Sequence, residues 1–70
     1  MKIFLNGDLH TTVADSTVAE LLTELGLDRE RVAVEMDREI VPRVDWPRVM
    51  LREECRVEVV HFVGGGEERR

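Results

Sequence analysis

The stretch "STVAELLTELGL", residues 16–27, decides how the rest of the chain must fold. Thr17 and Glu20 stand in the S/T-x-x-E pattern of a capping box, which starts a helix near Val18. Val18, Leu21, Leu22 and Leu25 recur at i, i+3, i+4 and i+7, giving one apolar stripe. Gly26 supplies a left-handed stop, and Leu27 can pack back on the last turn. A single short helix with one apolar stripe needs a second layer to bury it. The flanking sequence has to supply a sheet.

On the N-terminal side, "KIFLNGDLHTTV" reads as a hairpin, because Asn6-Gly7 tolerates the positive φ values of a type I′ turn. Ile3 and Leu5 point to one face and Phe4 to the other, while Leu9, Thr11 and Val13 share a face of the return strand. On the C-terminal side, "RVAVEM" alternates as a strand with Val32, Val34 and Met36 on one side. Asp37-Arg38 is a turn, and "EIV" is a short strand that Pro42 assigns to a sheet edge. "RVDWPRVMLREE" is irregular, with Val49 and Leu51 tucked under a loop and Trp46 read as satellite core whose indole N–H needs a partner. "CRVEVVHFV" is the last strand, with Val57 and Val59 inward and Glu58 outward. The order is β-β-α-β-β-β. The class is α+β, with a mixed sheet of four or five strands on one main helix.

If the first and last strands are neighbours, regular alternation places Phe4, Val60 and Phe62 together on the face away from the helix, with a break possible near Val59-Val60. Clustered exposed apolar side chains mark contact surfaces. These three residues are therefore the expected partner-docking face.

Seventy residues make one small domain, and a chain this size buries only about 60% of its unfolded surface. Little room remains for a water-excluding pocket, which argues against a self-contained enzyme. Fifteen acids against ten bases give a net charge of −5, poor for gripping phosphate backbones and suited to a partner with a basic docking surface. No stretch approaches the roughly 20 apolar residues that span a bilayer, and "MKIFL" lacks the features of a signal peptide. The single cysteine, Cys55, permits no internal disulfide. A cytoplasmic monomer with neither nucleic-acid nor membrane partners is expected. His10 and His61 sit in no cluster of zinc spacing and read as ordinary strand residues. Cys55 lacks a resolving partner and reads as structural, although Arg52 and Arg56 are near in sequence. Arg43 is a candidate contact for a partner carboxylate.

The chain closes with "HFVGGGEERR". Gly64, Gly65 and Gly66 cost conformational entropy to order and are a poor strand end. Their merit is slimness. Three extended residues reach about 10 Å and can enter a tunnel too narrow for side chains. Residues 1–63 are expected to form the domain and 64–70 a flexible C-terminal tail.

Four pieces together carry a resemblance: "MKIFLNG" (1–7), "STVAELLTELGL" (16–27), "VAVEMDREIVPRVDW" (32–46) and "VEVVHFVGGG" (57–66). In order and spacing the chain resembles the ThiS family, the β-grasp, ubiquitin-like sulfur carriers of thiamine biosynthesis. The related small subunit of molybdopterin synthase shares the fold and the Gly-Gly, but "IVPR…W" looks more like ThiS. The resemblance implies a β-grasp fold and a protein co-substrate rather than an enzyme. It implies that an E1-like adenylating enzyme uses ATP to activate the carboxylate of Gly66, with Gly65 the second of the pair. A thiocarboxylate then forms and thiazole synthase takes its sulfur. The carrier itself needs no cofactor or metal.

The chain departs from the family at two places. Glu67, Glu68, Arg69 and Arg70 follow Gly66, so either a tail-processing protease removes them, which is the expectation, or the carrier reading fails. Glu54-Cys55 stands where the family tends to have Gly-Asp, so this turn must avoid positive φ or bear its strain. Two other readings stay open: a ubiquitin-like adaptor that never activates its end, and a carrier for molybdopterin or tRNA thiolation.

Overall fold

A computed structural model describes residues 1–62. Asn6 and Gly7 take φ values of 49° and 87°, the pair a type I′ turn requires. Strand β1 (Lys2–Leu5) therefore folds back on β2 (Asp8–Thr11), with Ile3 opposite His10 and Phe4 opposite Leu9. Helix α1 (Val18–Leu25) begins at the expected capping box. The Glu20 N–H donates to Thr17 Oγ1 at 3.1 Å, and the Thr17 N–H donates to Glu20 Oε1 at 2.9 Å. Gly26 closes the helix at φ 71°, and the Leu27 N–H reaches the Leu22 carbonyl at 3.1 Å, the left-handed C-terminal motif read from the sequence.

After a 3₁₀ turn at Arg29–Arg31 come β3 (Val32–Met36), the Asp37-Arg38 turn and β4 (Glu39–Val41). A second 3₁₀ turn, Arg43–Asp45, lies in the irregular segment before β5 (Arg56–His61). The sheet has five strands in the order β2-β1-β5-β3-β4, so β4 is an edge strand, as Pro42 requires. β1 and β5 run parallel, and the other pairs are antiparallel. One helix on a mixed five-stranded sheet is the β-grasp arrangement.

One apolar cluster fills the space between helix and sheet. Val18, Leu21 and Leu22 of α1 meet Ile3, Val32, Val34 and Val57 of the sheet. Each such buried side chain contributes about 1.5–3 kcal/mol relative to exposure. Trp46 departs from the sequence reading. It is 1% exposed and belongs to the main cluster, not a satellite, and its Nε1–H donates to the Val41 carbonyl at 2.9 Å. The helix explains why. The N–H groups of a first helical turn have no partners inside the helix. Here the Val18 N–H donates to the Val49 carbonyl and the Ala19 N–H to the Trp46 carbonyl, both at 3.0 Å. The irregular segment is thereby tied to the helix start, and that carries Trp46 inward. Leu51 is buried as expected, and Val49 packs partly against the core.

Alternation in β5 runs unbroken. Val57 is buried, Val59 half-buried, and Glu58 and Val60 point out. The turn before β5 takes the strained option: Glu54 lies at φ 63°.

Candidate functional site

β5 is the central strand, and the chain beyond it carries the glycines. Its β3 flank is held by a regular antiparallel ladder from Met36↔Val57 to Val32↔His61. The Phe62 N–H extends this by donating to the Arg31 carbonyl at 2.7 Å. Its β1 flank is held for a shorter distance, with Phe4↔Arg56 and Leu5↔Val57 as the paired residues. The strand end that leads to the glycines is therefore anchored down to its last described residue. Gly64, Gly65 and Gly66, expected to carry the chemistry, lie outside the described residues, as do Val63 and residues 67–70.

The face of the sheet away from α1 starts with the expected trio. Phe4 is half-buried, Val60 is 56% exposed and Phe62 is 39% exposed. Two further apolar side chains extend the patch. Leu9 lies directly opposite Phe4, and Ile40 lies opposite Glu35, at 59% and 68% exposure. Sequence reasoning missed both. For Leu9 the signal was available: a two-residue turn at Asn6-Gly7 fixes the register, and directly opposed residues share a face. Ala33 sits opposite Val60 on the same face. Polar groups divide the patch. Arg56 lies over the Phe4 ring at 5.6 Å, and Glu35 faces Glu58 across β3 and β5. Glu35, Arg38, Arg56, Glu58 and Val60 line a shallow depression of about 370 Å³. Among the described residues this face offers an apolar platform with charges of both signs and a depression open to solvent.

The remaining candidates scatter. Cys55 is 5% exposed and belongs to the core, so its thiol has no open approach. His10 faces the helix side, with Nε2 3.5 Å from Glu24 Oε2, and Thr12 Oγ1 donates to Glu24 Oε1 at 2.6 Å. His61 stands exposed at the end of β5. Among the described residues no three His, Cys, Asp or Glu side chains gather as a metal site. Arg43 is occupied within the fold. Its Nη1 pairs with Glu30 Oε1 at 3.1 Å, and its guanidinium lies 5.8 Å from the Trp46 ring centre. None of the described helices is long and apolar enough to cross a membrane.

Comparison with known proteins gives a consistent picture. The family model described as "ThiS family" matches residues 3–66. A thiazole synthase of Magnetococcus marinus is 46% identical over 67 residues, covering 96% of this chain but 21% of that protein. This chain thus spans about a fifth of that relative's length. The sulfur carrier protein ThiS of Bacillus subtilis is 36% identical over 63 residues, covering 89% of this chain and 96% of that one. The crystal structure of a thiamine biosynthesis protein (ThiS) from Geobacter metallireducens superposes with a TM-score of 0.82 at 30% identity. It covers 94% of this chain and all of that one.

Proposed function

The chain belongs to the ThiS family, and from that premise we propose that it is a sulfur carrier of thiamine biosynthesis. It is a protein co-substrate, and partner enzymes supply the catalysis. The observation that carries the reading is the family match through residue 66, joined to a central strand that is secured as far as Phe62.

The chemistry follows from what a carboxylate lacks. Its carbon is a poor electrophile until one oxygen becomes a leaving group. An E1-like adenylating enzyme lets the Gly66 carboxylate attack the α-phosphorus of ATP, which releases pyrophosphate and leaves an acyl-adenylate. A persulfide sulfur then attacks the acyl carbon and expels AMP. A second thiol cleaves the resulting acyl disulfide by forming a disulfide with the donor cysteine, and the thiocarboxylate remains. Thiazole synthase consumes that sulfur. A thiazole synthase that itself contains a segment resembling this chain supports it as the partner. The carrier needs no cofactor of its own, and Phe4, Val60 and Phe62, with Leu9 and Ile40, form its docking platform.

Glu67 follows Gly66 through a peptide bond, so the carboxylate has to be released first. Full-length chain and chain ending at Gly66 are each incubated with adenylating enzyme and ATP, and pyrophosphate release is followed. Turnover is expected only from the shorter form, whose intact mass then shows exchange of one oxygen for sulfur after a persulfide donor is added. Equal turnover of both forms overturns the release step. A shorter form that never reacts overturns the carrier reading in favour of an adaptor.

A further inference from the structure

The β1–β5 ladder contains a substitution of one chemical group for another. In a parallel ladder each residue of one strand donates to one residue of its neighbour and accepts from another two places on. The Phe4 N–H donates to the Cys55 carbonyl and the Asn6 N–H to the Val57 carbonyl, both at 2.9 Å. The next rung should join the Val59 N–H to the main-chain carbonyl of Asn6. At Asn6, however, the chain has already turned away, at φ 49°, into the hairpin. The Val59 N–H donates instead to Asn6 Oδ1, at 2.8 Å. The side-chain amide thus replaces the missing rung. Among the described residues it is the last hold on the β1 flank of β5, two residues before that strand ends at His61.

We infer that Asn6 is a positioning residue for the glycine arm. By pinning Val59 from the β1 side it makes the hold on β5 two-sided, while the β3 flank carries on alone to Phe62, and so it limits the twist with which the strand end leaves the sheet. This rests on the carrier reading above. The turn alone does not require the amide, since Gly and Asp also suit this position of a type I′ turn. The hydrogen bond biases the strand end toward the pinned arrangement. A strand end held on the β3 flank alone twists more freely and presents the chain beyond it to the adenylating enzyme in fewer productive encounters. Apparent affinity falls by the fraction of chains that are competent, while the bound complex reacts as before. The expected signature is therefore a raised KM for the carrier with kcat preserved.

The test uses chains ending at Gly66. N6G keeps the left-handed turn and deletes the acceptor, whereas N6D keeps both. T17A, which removes the helix cap, serves as a control of similar stability loss. N6G should raise KM about fivefold with kcat within twofold, corresponding to about 1 kcal/mol. Amide exchange at Val59 should accelerate with it. N6D should restore both, and T17A should leave KM unchanged. An N6G KM equal to wild type, or a rise matched by T17A, overturns the positioning role. Wild-type chain that is not adenylated at all overturns the carrier reading and this role with it, and the Val59 exchange rates then still report whether Asn6 holds the strand.

Discussion

Glu54 is a residue in the wrong backbone region for its type. At φ 63° an L side chain with a Cβ costs roughly 1–2 kcal/mol. Its N–H is anchored to the Lys2 carbonyl at 2.6 Å, so the turn has little freedom to relax. Glu54→Gly keeps that main-chain bond and removes the strain, against about 0.5–1 kcal/mol for the added freedom of the unfolded chain. A net gain of about 0.5–1 kcal/mol is expected, read as a higher urea midpoint at unchanged m-value. A lower midpoint would show that the Glu54 side chain contributes more than its backbone costs. This strain was legible as a choice between two outcomes only through the family resemblance, which implies a glycine where Glu54 stands. The Asn6–Val59 contact was not, since its partners lie 53 positions apart and only strand order brings them together.

Among the elements, α1 was the most legible and is the most dependent on what was least legible. Its cap, stripe and stop are all within twelve consecutive residues, and the structure reproduces each. Yet two of its leading N–H groups are satisfied by Trp46 and Val49, from a segment with no periodicity to read. Thr17→Ala should lower stability by about 1 kcal/mol, seen in denaturant melts. Leu21→Ala, at a fully buried position on the stripe, should cost about 2–5 kcal/mol. A Leu21→Ala loss below that of Thr17→Ala would mean that the stripe is not what couples helix to sheet. Trp46 was under-read for the same reason: the carbonyl its indole needs, on Val41, is close in sequence, but the inward turn of the loop is not encoded locally.

At the scale of the whole molecule, the two faces of the sheet divide the labour. One carries the core and the other the exposed platform of Leu9, Phe4, Val60, Phe62 and Ile40. Strand alternation made Phe4, Val60 and Phe62 legible as a set, while Ile40 required the β3–β4 register that only the folded chain displays. Val60→Asp places a charge on this platform without touching the core. Stability should stay within about 0.5 kcal/mol, while, on the proposed carrier role, affinity for thiazole synthase or the adenylating enzyme should fall at least tenfold, equivalent to about 1.4 kcal/mol. Titration calorimetry that finds unchanged affinity for both would remove this face from the docking account.

The parallel alignment of β1 and β5 also has a mechanical meaning. Their starting ends lie together, so a pull on the chain beyond Phe62, with the amino end held, strains the rungs between them in shear. Shear loads all rungs at once, whereas peeling would break them singly. Were a partner to tug on the chain beyond Phe62, as the proposed carrier role requires, every rung between the two strands would resist together.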